Sequence, residues 1–246
     1  MAAQLVGLWG IRVMISQTAD YHPEKLEIVD RMHDVSSAGA FYPCRDNVSF
    51  VPHPDPHITV TYSRMDNRNG DKRILVDRLI RLFRTGDHQP TPLSNPFSYT
   101  LQTDPLGKPL LYFGKTRGPS ISFSRCPGRI WAAMSLVKGL GIDAESAETF
   151  TGPYPYNRVF GGDEFSYAIK ICGGRLDDAS ALLWSAKEAA AKAMGCGFHL
   201  FGPMEMQAGN FLPSYGGLLG RVDAGIKIPV WAIREGPAWL SIAWIK

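Results

Sequence analysis

The sequence predicts an α+β protein made of two similar halves. Three observations lead there. The order strand, helix, strands occurs twice, once on each side of about residue 115. Segments dense in proline and glycine separate the elements. A chain of 246 residues has material for one large domain or two of about 100–150 residues, and either buries a real core. The halves are placed at 1–115 and 116–246.

In the first half, Leu5–Ile15 and His57–Arg64 carry β-branched and aromatic residues in partial alternation and read as strands. Between them, Pro43, Pro52, Pro54 and Pro56 predict a loop. Over 72–83, Ile74, Leu75, Leu79, Ile80, Leu82 and Phe83 approximate a helical stripe, with Gly86 as terminator. Pro90, Pro92 and Pro96 form a second linker before strands at Phe97–Leu101 and Leu110–Phe113.

In the second half, Ile130–Ser135 and Gly141–Glu145 read as strands, and the Gly, Pro, Tyr and Asn of 151–162 as a loop. The clearest helix is Leu176–Met194, alanine-rich, with Asp177 or Asp178 as N-cap and Gly195 as the C′ glycine. Strands follow at Phe198–Phe201, Ile226–Arg234 and Trp239–Ile245, the last two joined by a Glu235-Gly236-Pro237 turn.

Composition excludes more than it selects. With 45% hydrophobic and 20% charged residues the chain is far from disordered or collagen-like classes. A net charge of +3 is too small for bulk DNA binding, so no nucleic-acid partner is expected. Lys72, Arg73, Arg78, Arg81 and Arg84 crowd one stretch, either a solvated helix face or a patch for an anion. Cys44, Cys126, Cys172 and Cys196 are scattered without zinc-ligand spacing and read as reduced core cysteines. Arg12 interrupts the apolar N-terminal run, no segment reaches a membrane span, and a cytoplasmic location with no membrane partner is expected.

Asp143 and Glu145 lie two apart in Gly141-Ile142-Asp143-Ala144-Glu145, on one face of the expected strand. Two such carboxylates repel each other unless a cation sits between them, and hard oxygen donors suit magnesium; a solvated strand face is the plainer reading. Trp184, Glu188 and Lys192 recur at i, i+4, i+8 on the long helix. Glu188 and Lys192 could be an ordinary surface ion pair, but the tryptophan implies that this face is partly buried. His199, flanked by Phe198 and Leu200, reads as a partly buried structural histidine, and Trp231, Trp239 and Trp244 as core aromatics.

Together, Gly-Ile-Asp-x-Glu and, about forty residues later, Trp-Ser-x-Lys-Glu-Ala-x-x-Lys-x-x-Gly resemble the signature of the Sfp-type 4′-phosphopantetheinyl transferases. Gly107-Lys108-Pro109 agrees with it. Ser120-Ile121-Ser122-Phe123-Ser124 stands where that family usually has Leu-Ser-His-Ser, so the resemblance spans residues 107–195. It implies a pseudo-twofold fold with a ligand cleft between the halves. It also implies transfer of the phosphopantetheine arm of coenzyme A to a serine of an apo acyl or peptidyl carrier protein, releasing 3′,5′-ADP. By the resemblance, Asp143, Glu145 and Glu188 ligate Mg2+, Lys192 contacts phosphate oxygens, and Glu188 helps take the serine proton. Lys108, Ser122 and Arg125 are candidates for binding coenzyme A, and the protein is expected to act as a monomer. The departure is Phe123, where the family usually has a histidine associated with the 3′-phosphate; a phenyl ring cannot donate a hydrogen bond. Arg125, Arg78 or Arg81 could supply the missing contact. The competing readings are a non-catalytic relative that binds a carrier or coenzyme A, and an unrelated magnesium-dependent phosphate enzyme.

Overall fold

The computed structural model describes residues 48–51, 53–55, 57–64, 71–85 and 98–246. The chain divides into two compact units, Met1–Val35 and Ser36–Lys246, and every described residue belongs to the second. The expected strand at 5–15, Gly86, Cys44 and the prolines at 43, 52, 56, 90, 92 and 96 lie outside the described residues.

The elements are β1 (Val48–Val51), β2 (Ile58–Arg64), α1 (Asp71–Thr85), β3 (Thr100–Thr103), β4 (Pro109–Phe113), β5 (Thr116–Arg117) and β6 (Ser120–Cys126). β7 (Arg129–Ser135), β8 (Gly139–Ser146), α2 (Gly162–Ile171), α3 (Leu176–Met194), β9 (Gln207–Ser214), β10 (Gly217–Asp223), β11 (Lys227–Glu235) and β12 (Ala238–Ile245) follow. The protein is α+β. One sheet has the order β1-β2-β7-β6, a second β8-β12-β11-β10-β9, and β3-β4-β5 form a small third. The described pairings are antiparallel.

Side-chain alternation assigns each sheet face to a core. In β11, Ile228, Val230 and Ala232 face α3, while Trp231 and Ile233 face the four-stranded sheet. Leu140, Ile142 and Ala144 of β8 and Leu240, Ile242 and Trp244 of β12 join that second core, against Val60 of β2 and Trp131 and Ala133 of β7. Ile130, Ala132 and Met134 of β7 face the other way, onto Leu75, Val76, Leu79 and Ile80 of α1. β12 is therefore buried on both faces, which is why its sequence reads as a nearly unbroken apolar run. Trp231, Trp239 and Trp244 are core residues as expected, and Cys126, Cys172 and Cys196 are free thiols. Among the described residues no helix is long and apolar enough to cross a membrane.

Four expectations need correction. The helix α3 begins at Leu176 with Arg175 at its N-cap and no side-chain cap. Asp177 and Asp178 instead occupy the first turn, where carboxylates complement the helix dipole. Asp178 accepts from Arg175 Nε at 3.2 Å and Arg234 Nη2 at 3.1 Å, so it is used to tie α3 to β11. Residues 198–201 are not a strand: Gly195 ends α3 in the left-handed region, φ 83°, and a 3-10 turn at Gly197–His199 follows. His199 on that turn is exposed, not partly buried. The region read as a loop between the first two strands contains β1.

Unforeseen from sequence are α2, β9 and β10, whose glycines, Asn210 and Pro213 imitate loops. A Cβ at Gly220 would stand 2.4 Å from the Phe211 ring, so the glycine is where an aromatic from the neighbouring strand lies down. The outer edge of β9 is closed. Glu164 accepts the Ala208 N–H at 2.8 Å, Tyr167 donates to the Phe211 carbonyl at 3.0 Å, and Pro213 has no N–H to offer.

Candidate functional site

The site is built where α3 crosses β8. On β8, residues 139, 141, 143 and 145 face the helix, and the first two are glycines. A Cβ at Gly141 would lie 1.9 Å from the Ala189 carbonyl oxygen, and one at Gly139 2.5 Å from that of Ala193. Helix backbone thus rests on strand backbone, with Ala186, Ala189, Ala190 and Ala193 keeping the contact thin. That close approach brings Lys192 to Asp143, two residues beyond the second glycine and on the same strand face.

The Lys192 ammonium donates to Asp143 Oδ1 at 2.8 Å, Glu188 Oε1 at 3.0 Å and the Ile142 carbonyl at 3.2 Å. The second Glu188 oxygen accepts from the Trp184 indole N–H at 3.1 Å. The i, i+4, i+8 stripe is therefore one hydrogen-bonded chain ending on the strand. Phe150 and Phe198 flank the Trp184 ring, with centroids at 6.5 and 5.4 Å.

Asp143 is 3% exposed. Burial pushes its carboxyl up to about 7 despite the Lys192 cation, which works in the opposite direction, while Glu188 adds to the rise. Burial also works against the Lys192 ammonium, but the two carboxylates outweigh it and hold its pKa above the usual lysine value. Asp143 Oδ1 accepts a second bond, from Ser124 Oγ at 2.8 Å, and Asp143 Oδ2 is buried without a hydrogen-bond partner. An orphaned hard oxygen beside a second carboxylate fits a small divalent cation.

Glu145 lies on the same strand face, and its carboxylate accepts from the Ser146 N–H at 3.1 Å and Thr149 Oγ1 at 2.7 Å. Among the described residues, no three Asp, Glu, His or Cys side chains are gathered as a ready metal cluster. Asp143 and Glu188 are brought together, and Lys192 is the group between them.

β6 and β8 are edges of different sheets, joined by side chains. Ser122 Oγ accepts the Ile142 N–H at 3.1 Å and Ser124 Oγ the Ala144 N–H at 3.0 Å, satisfying β8's unpaired donors. Ser122 also lines an open cleft of about 300 Å³. Lys72, Lys108 and Lys192 line the cleft too, together with an apolar wall of Leu101, Leu106 and Pro109. Lys108 follows the β3–β4 turn, where Asp104 Oδ1 accepts its N–H at 2.8 Å; its Nζ lies 3.2 Å from the Cβ position of Gly195. Burial, then the neighbouring Arg117, lowers its pKa.

Phe123 lines the cleft beneath Lys72, whose Nζ stands 5.3 Å from the ring centroid. Burial, then the like charge of Arg125, lowers the Lys72 pKa. Arg125 is exposed beside this pair. From α1, Lys72 reaches the cleft; Arg78 and Arg81 are not among its lining residues.

Sequence reasoning missed Lys72, Ser124 and the Trp184 contact as site features. Ser124 carried a signal, being i+2 from Ser122 and so on the same strand face; Lys72 carried none beyond its basic stretch.

Three ammonium groups thus line one cleft, and the third of them, Lys192, is held by the paired carboxylates. Residues 139–213 match the sequence model of the 4′-phosphopantetheinyl transferase superfamily. The match begins at the first residue of β8 and runs through α3 into β9, so it contains Asp143, Glu145, Glu188 and Lys192. It points to a transferase of phosphopantetheine. Among curated protein sequences none matches this chain.

Proposed function

We propose that this protein is an Sfp-type phosphopantetheinyl transferase that moves the phosphopantetheine arm of coenzyme A to a serine of an apo acyl or peptidyl carrier protein. The observation that carries the reading is the Lys192 bridge between Asp143 and Glu188 at the end of a three-lysine cleft. In this reading Lys72 and Lys108 take the nucleotide end of coenzyme A, with Ser122 donating its proton and Arg125 adding charge at the rim. The apolar wall excludes water from the adenosine.

Asp143, Glu188 and, after rotation away from Thr149, Glu145 would hold Mg2+. Such an ion would supply neutralisation of the charge developing on the pyrophosphate. Glu188 accepts the carrier serine's proton while the serine oxygen bonds the β-phosphorus. The bond from that phosphorus to the bridging oxygen breaks, and 3′,5′-ADP leaves with the electron pair. Lys192 faces the phosphate oxygens on which charge accumulates. A carboxylate is a weak base toward a serine hydroxyl, so orientation by Trp184 supplies part of the rate.

The same reading treats 1–115 and 116–246 as two similar halves about a pseudo-twofold and expects a cytoplasmic monomer without nucleic-acid or membrane partners. Intact mass of apo carrier proteins incubated with coenzyme A and magnesium tests it. One phosphopantetheine should be added per carrier, and none with chelator present. Full transfer in chelator contradicts the metal; no transfer to any carrier, with coenzyme A still bound, favours a non-catalytic binder.

A further inference from the structure

Lys192 has three ammonium hydrogens and three acceptors inside the protein: Asp143 Oδ1, Glu188 Oε1 and the Ile142 carbonyl. Nothing is left over for a phosphate. The two carboxylate oxygens it holds are also oxygens a divalent cation could use, and Asp143 Oδ2, buried and without a partner, is a further one. One side chain therefore occupies the cation position of its own site.

Resting on the reading above, we propose that Lys192 is an internal counter-cation that keeps Asp143 and Glu188 convergent, and that a divalent ion enters by displacing it. The exchange takes the carboxylate pair from one net negative charge to none. Before it, one ammonium bridges two carboxylates; after it, Asp143 and Glu188 would hold the ion and the ammonium would be free to turn into the cleft it already lines. Metal entry and delivery of a phosphate-binding cation thus become a single event. Without the ammonium, two carboxylates on facing backbones would repel each other and part. With it, Glu188 stays fixed at both oxygens, by Lys192 on one and Trp184 on the other.

The test uses the whole protein without coenzyme A or carrier. Mn2+ binding is followed by electron paramagnetic resonance for the wild type, Lys192→Met and Lys108→Met. If Lys192 competes for the site, Lys192→Met binds Mn2+ about tenfold or more tighter than wild type. Lys108→Met, which removes a cleft charge that touches neither carboxylate, changes it less than threefold. Equal tightening in both variants would reduce the effect to general charge and overturn the exchange, as would weaker binding in Lys192→Met or no Mn2+ binding by any form. A second measurement needs no variant: acetylation of Lys192 by acetic anhydride, read by peptide mass, should speed several-fold on adding Mg2+ at constant ionic strength. An unchanged rate overturns the proposal. If the exchange is seen but no carrier is modified, the proposed transferase activity fails while the exchange stands; transfer without exchange is the reverse.

Discussion

Lys187 and Glu164 form an ion pair in the protein interior, beneath the Phe160 ring and adjacent in sequence to Glu188. Lys187 also donates to the Pro203 carbonyl at 2.8 Å, and Glu164 accepts from Gly161 N–H and Ala208 N–H, each at 2.8 Å. One pair thus fastens α3, the start of α2 and the edge strand β9. Burial lowers the Lys187 pKa, with Glu164 opposing that shift. Lys187→Met should cost about 3–5 kcal/mol in urea unfolding, because Glu164 is left as an uncompensated buried charge. Adding Glu164→Gln should recover part of the loss; no recovery would mean that packing, not charge, is what Lys187 supplies.

Gly141→Ala should damage the site through geometry alone. The new methyl would meet helix backbone at 1.9 Å, and backbone cannot swing aside as a side chain does. Either α3 shifts or β8 does, costing about 1–3 kcal/mol or more. Because Lys192, Glu188 and Asp143 straddle this contact, transfer should fall by about a hundredfold, more than stability suggests. Activity and chemical denaturation measured side by side check it.

The Phe123 departure now has a structural partner in Lys72. If that ammonium holds the 3′-phosphate of coenzyme A, Lys72→Ala should weaken coenzyme A by about 1.5–3 kcal/mol and dephospho-coenzyme A much less. Phe123→His should then add little. Titration calorimetry with both donors decides it: equal losses would place Lys72 elsewhere on the ligand, and a large gain from histidine would show that the phosphate lacks a partner.

How much of this could be read from the sequence depended on what made each element recognisable. The helix α3 and strands β2, β4, β7, β11 and β12 were legible because alanine content, β-branching and turn residues agreed. Gly141-Ile142-Asp143-Ala144-Glu145 gave both the strand and the carboxylate face. β9 and β10 were hidden because their edge and bulge positions use loop-like residues, Asn210 at φ 55° among them. The bridging role of Lys192 was invisible for another reason: it joins residues 49 and 4 positions away, and only the second spacing is periodic.

His53 supplies a pH prediction. It sits edge-on between Trp231 and Trp244, centroids at 5.2 and 5.1 Å, and its Nδ1 accepts the Asp55 N–H at 3.0 Å. Burial lowers its pKa to about 4, against a partial rise from the Asp55 carbonyl and charge. Between about pH 4 and 6.5 the unfolded chain binds the proton and the folded one does not, so stability increases with pH across that window. The loss on acidification should be on the order of 3 kcal/mol. His53→Phe should flatten that part of the melting-temperature profile; an unchanged slope would show that another group causes it.

The serine stitching of β6 to β8 has a thermal consequence. The Ile142 and Ala144 amides are held by single hydroxyls and not by a continuous strand ladder, so they belong to a boundary that can part without melting either sheet. Their hydrogens should exchange with deuterium through openings smaller than global unfolding. Asp143 would lose its Ser124 contact in the same openings. Warming would then silence the protein while most of its secondary structure persists, setting a working ceiling below its melting point.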